Sequence, residues 1–254
     1  MTKTAWHVTT VALFTLVSLQ LNAASAFAGS QRLSLTEGYD QDQGGYNRME
    51  YRFALHDFSD PQEGYPELTQ WEIGKLAARY TYRDSSLLLD EVTAIRVTSL
   101  TPLTDFDRQF SWEVRLAGQR FYDNVCDHCF GGVLEFGAGF AGKFFGGEDT
   151  RGAVTYYLLA EGEVLTGSAF TGAHFRPGLG PTAGLRVQVS EALIGVFRGG
   201  YRYRFLDGPH DSYFGEGTVR WGFMHGWSLE VSALMYPDPQ QASAGVSGGL
   251  SYYF

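Results

Sequence analysis

In the stretch NRMEYRFALH, Met49, Tyr51, Phe53 and Leu55 alternate with Arg48, Glu50 and Arg52, and the same two-residue rhythm returns along most of the chain. Strict alternation sends successive side chains to opposite faces of an extended strand, so each such stretch predicts a β-strand with one apolar and one charged face. IGKLAARYTYR sets Leu76, Ala78, Tyr80 and Tyr82 against Lys75, Arg79 and Arg83. FSWEVRLAGQRF sets Phe110, Trp112, Val114 and Leu116 against Glu113, Arg115 and Gln119, and VLEFGAGFAGKF sets Leu134, Phe136, Ala138 and Phe140 against Glu135 and Lys143. QRLSLTEGYD, with Leu33 and Leu35 on one face, and the less regular SLLLDEVTAIRV belong to the same series. AVTYYLLAEGEV, AGLRVQVS, LIGVFRGGYRYRF, YFGEGTVRWGF, WSLEVSALMY and AGVSGGLSYYF bring the predicted segments to twelve.

Charge on one face and hydrocarbon on the other suits a wall between water and lipid. The pattern therefore predicts an all-β fold, a transmembrane antiparallel up-and-down β-barrel of about twelve strands. An even count leaves both chain ends on the same side of the membrane. A soluble sandwich also alternates, but it does not call for aromatic residues at the outward ends of its strands. Composition agrees: 32 Gly, 15 Tyr and 19 Phe disfavour helices, and no apolar run is long enough to span a bilayer as a helix after the N-terminus. The net charge of −9 argues against a nucleic-acid partner.

The two ends add a compartment. Residues 1–28 carry Lys3, the apolar run VTTVALFTLVSLQL and the triplet Ala26-Phe27-Ala28, which predicts a secretory signal peptide followed by a single barrel domain over 29–254. At the other end, SGGLSYYF places Ser247, Gly249, Tyr252 and the terminal Phe254 in a pattern that resembles the C-terminal insertion signal of bacterial outer-membrane barrels. That resemblance implies the outer membrane, with its lipid and lipopolysaccharide and the barrel insertion machinery as partners. In this orientation the joints SEA and HG are short periplasmic turns, while LDGPHDS and YPDPQQAS are outer loops; the long DFSDPQEGYPELTQ fits its periplasmic place badly.

Four groups of residues are candidates for chemistry. NVCDHCFGG holds the only two cysteines, Cys126 and Cys129; in an oxidising compartment the expectation is a disulfide closing a small loop between the fifth and sixth strands, with metal binding through His128 and Asp127 as the alternative. A haem attachment would need His directly after the second cysteine, where Phe130 stands. His210 and Ser212, two residues apart, could act as base and nucleophile with Glu216 or Asp211 as orienter, against the plain reading of a turn after Asp207-Gly208-Pro209. His56, Asp57, Asp60 and Glu63 form an acidic cluster whose spacing does not match a calcium loop. Last, Lys75, Arg79, Arg83, Glu113, Arg115, Glu135, Glu161, Glu163, Arg186, Arg198, Arg202 and Arg204 fall on the predicted inner face, where mixed charges either pair across the lumen and plug it or line a narrow channel. No cofactor or metal is expected.

The segment from Tyr51 to Ile73 with its HD-x-x-DP-x-EGYP loop, the S-W-x-V-R-L strand from Ser111 and the two cysteines together resemble an uncharacterised outer-membrane barrel domain. In larger envelope proteins that barrel follows a periplasmic domain related to lipoprotein N-acyltransferases. The chemistry belongs to that other domain, for which the expectation here is no room between leader and first strand, so acyl transfer is not carried over. The resemblance implies an envelope anchor, or a scaffold or partner for a periplasmic protein. A small pore is the alternative, with a lipid hydrolase using His210 and Ser212 ranked below it.

Overall fold

The structure, a computed structural model, describes residues 31–57, 68–100, 110–123, 126–145, 152–167, 175–190, 192–205, 211–224, 226–237 and 242–254. Twelve strands follow one another: β1 (Arg32–Asp40), β2 (Gly44–His56), β3 (Thr69–Thr81), β4 (Ser86–Ser99), β5 (Ser111–Asp123), β6 (Cys126–Phe145), β7 (Ala153–Thr166), β8 (Phe175–Gln188), β9 (Leu193–Arg204), β10 (Asp211–Met224), β11 (Trp227–Pro237) and β12 (Ala242–Tyr253). Each pairs antiparallel with its sequence neighbours, and β1 closes on β12. Closure leaves no unpaired edge, which is what allows a sheet to cross hydrocarbon. The chain ends meet at the seam, where Gln31 and Phe254 exchange two backbone hydrogen bonds of 3.3 and 3.2 Å.

The alternation sets the two faces. Outward lie Met49, Phe53, Leu76, Leu116, Phe136, Phe197 and Val231, each more than a third exposed, a continuous apolar surface that water would not tolerate and lipid does. Aromatic residues collect at both rims. Trp71, Trp112, Trp221 and Trp227 all sit at the strand ends nearest the chain termini, where Trp227 packs on Tyr252 with ring centroids 4.7 Å apart. The opposite rim is richer in tyrosine, including Tyr39, Tyr82, Tyr203 and Tyr213. Two aromatic girdles around an apolar band mark a membrane-spanning barrel, and its place is the bacterial outer membrane.

Five local details depart from the sequence pattern. NVCDHCFGG is not a loop: β6 begins at Cys126, and only residues 124–125 separate it from β5. β8 begins at Phe175, eight residues before the predicted segment, because FRPGLGPT is extended despite two prolines. Its pairing with β9 skips Gly180 and Pro181, so Pro181 meets no demand there for an N–H, and a Cβ at Gly180 would run into the Tyr201 carbonyl. β10 starts at Asp211 and so takes in Ser212. Arg83, expected inside, lies in the β3–β4 turn and donates to the Asp42 carbonyl at 3.1 Å. The irregular β4 carries two bulges, with Asp90 extra against β3 and Ala94 extra against β5.

Joint lengths also differ from expectation. In the second half of the chain, 189–192 and 225–226 at the terminal end are together shorter than 205–210 and 238–241 at the far end, although 189–192 and 238–241 are equal in length. The first half reverses this, since 57–68 and 100–110 both lie at the terminal end. The last residue of the first joint and the first of the second form a unit: the Leu100 amide donates to the Leu68 carbonyl at 2.9 Å, and both side chains pack inside the barrel against Ala141, Tyr157 and Leu159. A second apolar cluster of Ala117, Val133 and Leu165, with Phe121, lines the β5–β7 wall nearer the far end.

Candidate functional site: the charged lumen

Inward positions of β2 to β5 carry most of the charge. Glu50 on β2 accepts from Arg52 Nε at 2.5 Å and Arg48 NH1 at 2.5 Å, and lies 3.4 Å from Arg32 NH2 on β1. The bulge in β4 lets two successive acids reach inward together: Asp90 meets Arg48 Nε at 2.7 Å and Glu91 meets Arg48 NH2 at 3.0 Å. Glu91 also meets Lys75 Nζ at 2.8 Å and Arg115 NH2 at 3.0 Å, and Arg115 continues to Glu135 at 3.1 Å. Arg79 lies 3.4 Å from Asp90, its guanidinium 4.1 Å above the Tyr46 ring.

A second group crosses the interior. Arg198 NH2 on β9 reaches Glu113 on β5 at 2.8 Å and Glu161 on β7 at 2.9 Å, and Arg202 also pairs with Glu161. Arg204 donates to Glu163 at 3.0 Å, and Arg186 to Gln188 at 2.9 Å. These struts tie β9 to β5 and β7. Together with Tyr157 and Leu159 they fill the lumen on that side.

The other side stays open. A cavity of about 360 Å³ follows the seam, lined at the terminal end by Asp57 and Arg220 and at the far end by Asp40 and Gly245. One bank is the charged face of β2 to β4. Among the charged Arg32, Glu216, Arg220 and Glu230, the facing bank sets small hydroxylated side chains: Ser34, Thr36, Thr218, Ser232 and Ser247. Pairs of these bond to each other across strands or to neighbouring hydroxyls, as Ser34 with Ser251 at 2.7 Å and Thr218 with Ser232 at 3.0 Å, so they hold the wall together without filling the space.

The family model for a domain of unknown function (DUF7840) matches residues 28–253. The chain belongs to this family. No curated protein matches its sequence. Among solved structures, this DUF7840 barrel is similar to the NanC porin at 7% identity and TM-score 0.50, over 87% of this chain and 100% of that one. It is also similar to the COG4313 outer membrane channel from Pseudomonas putida F1 at 9% identity and TM-score 0.50, over 91% and 99%. At these identities the likeness is one of fold.

Among the described residues, the remaining candidates of this DUF7840 chain form no second cluster. His210, Asp60 and Glu63 lie outside the described residues. Ser212 pairs with Arg202 across β9 and β10 and alternates with the lipid-side Tyr213. Glu216 faces the lumen 3.9 Å from Arg198 NH1. Asp57, read from sequence as part of an acidic cluster, is instead shared by three guanidiniums, Arg52 at 3.2 Å, Arg220 at 3.5 Å and Arg32 at 3.6 Å. Cys126 stands opposite Asp123 and Cys129 opposite Phe121, with His128 the extra residue between them; the Cys126 side chain lies outside the described residues. At the C-terminus, Ser247 and Gly249 face inward, while Tyr252 and Phe254 join the outer girdle, their rings stacked at 5.7 Å. Sequence reasoning passed over the hydroxyl bank. Its signal is in β12, where Ser243, Gly245, Ser247, Gly249 and Ser251 alternate Ser and Gly at every second position.

Proposed function

We propose that this barrel is a narrow channel for small polar solutes across the outer membrane. The observation that carries the reading is the seam cavity, which is lined from Asp57 at one end of the strands to Asp40 and Gly245 at the other and walled by ionised groups on one bank and by small hydroxyls among fewer charges on the other. A plug would fill such a space with large side chains; here the inward positions of β1 and β12 are mostly serine, threonine and glycine. The porin and channel of similar fold support the reading. The test is conductance of the refolded protein in a planar bilayer. Stepwise currents are expected, and Ser232→Trp, which adds bulk on the hydroxyl bank, should cut the unit conductance at least about twofold while leaving the barrel folded. Silent bilayers with correctly folded protein would overturn the channel and leave an anchor or scaffold for a periplasmic protein as the standing reading.

The leader and the clasp belong to the same proposal. The family match begins at residue 28, at the edge of the proposed leader, which supports a barrel domain that starts where the leader ends. Cysteines three apart in a regular strand fall on opposite faces, and the extra residue at His128 restores even parity to the backbone between Cys126 and Cys129. That supports a disulfide at the far rim; two titratable thiols in the non-reduced protein would remove it.

A further inference from the structure

We propose that Arg96 forms a binding station for a small oxyanion, a carboxylate or phosphate, inside the seam cavity; this rests on reading the lumen as a conduit. Arg96 lies on β4 and lines that cavity, half-buried. Among the described residues it makes no ion pair or hydrogen bond, and its Nε is buried without a partner. The carboxylates that act on it through space, Glu72 and Glu135, are paired with other cations. Across β3 it faces Glu72, whose carboxylate is held by Arg52 at 2.9 Å and Lys75 at 3.4 Å. Across β5 it faces Arg115, another cation, whose own acids are Glu91 and Glu135. Glu113, also on the cavity wall, is committed to Arg198 at 2.8 Å and to the Thr98 hydroxyl at 3.3 Å.

Two guanidiniums on adjacent strands repel each other, and a buried donor without a partner costs free energy. Along this wall Arg32, Arg48, Arg52, Arg79 and Arg115 each have a carboxylate at 3.4 Å or less, whereas Arg96 faces the cavity. An oxyanion there would gain the planar fork of Arg96 and offset its repulsion by Arg115 on the adjacent strand. A volume of about 360 Å³, with hydroxyls on the far bank, admits a small hydrated anion but not a folded polymer.

The experiment is calorimetric titration of inorganic phosphate, and separately of acetate, onto the full-length barrel folded in a neutral detergent, alongside Arg96→Gln, Arg96→Lys and Arg120→Gln. Folding of each variant is checked by its β-sheet circular dichroism and heat-modifiable gel mobility. Saturable binding to the unaltered chain is expected, weakened about tenfold or more in Arg96→Gln, partly restored in Arg96→Lys and unchanged in Arg120→Gln, which lies near the far rim. The two titrations distinguish phosphate from carboxylate. Absence of binding, or equal binding by Arg96→Gln, overturns the station. The conduit is judged separately by conductance: a silent bilayer with binding intact removes the channel and keeps the site, while conductance without binding removes the site and keeps the channel.

Discussion

Glu161 holds two arginines from β9, and its side chain is almost completely shielded from solvent. Bringing that triad out of water costs several kcal/mol, largely repaid by its mutual attraction, so its net worth is small; removing one member is different because the others stay buried and unpaired. Glu161→Ala is therefore expected to destabilise the barrel by roughly 3 kcal/mol or more, read as a lower denaturant midpoint in vesicles. An unchanged midpoint would mean that Arg198 and Arg202 find other acids. Gly249 makes a second residue-scale case. A Cβ there would lie 2.6 Å from the Thr36 hydroxyl and 2.8 Å from the Leu35 carbonyl, across the β1–β12 seam. Gly249→Val should cost about 1–3 kcal/mol through overpacking, seen as a loss of heat-resistant mobility. The position read from sequence as an insertion signal thus also has a packing reason to be glycine.

At the scale of strands, the lipid face answers to depth. Val231 sits midway along β11 and is about half exposed on the outer surface. Val231→Arg should cost about 2–4 kcal/mol in bilayers, against almost nothing for the same change at a rim; equal costs at both depths would contradict the placement of the apolar band. The strand number, the antiparallel order and the inward set of Lys75, Arg79, Glu113 and Arg115 were legible because a two-residue period survives any detail of packing. What escaped did so for local physical reasons. Asp90 and Ala94 each add one residue to β4 and break the period, which no alternation count recovers. Pro177 and Pro181 made the start of β8 look like a loop, although the skipped pairing removes the need for an N–H at Pro181. Arg83 shares the parity of its inward neighbours but falls just past the last residue of β3. The hydroxyl bank is a different case, for small residues signal a space only once the opposite wall is known.

The whole molecule is two-sided in its lumen as well as its surface. Struts from β9 to β5 and β7, with the apolar cluster under Leu68 and Leu100, close one side, and the open cavity runs along the seam. The two strands whose pairing closes the barrel also line this cavity, so on the proposed channel reading a defect at the seam should affect permeation and closure together. The four described tryptophans, gathered at the rim of the chain ends, give the molecule a built-in optical marker of its polarity. Brominated lipid confined to one leaflet should quench them all when that leaflet meets the terminal rim, and hardly at all from the other. The extent of quenching in vesicles would then report which way the barrels have inserted, with no label added.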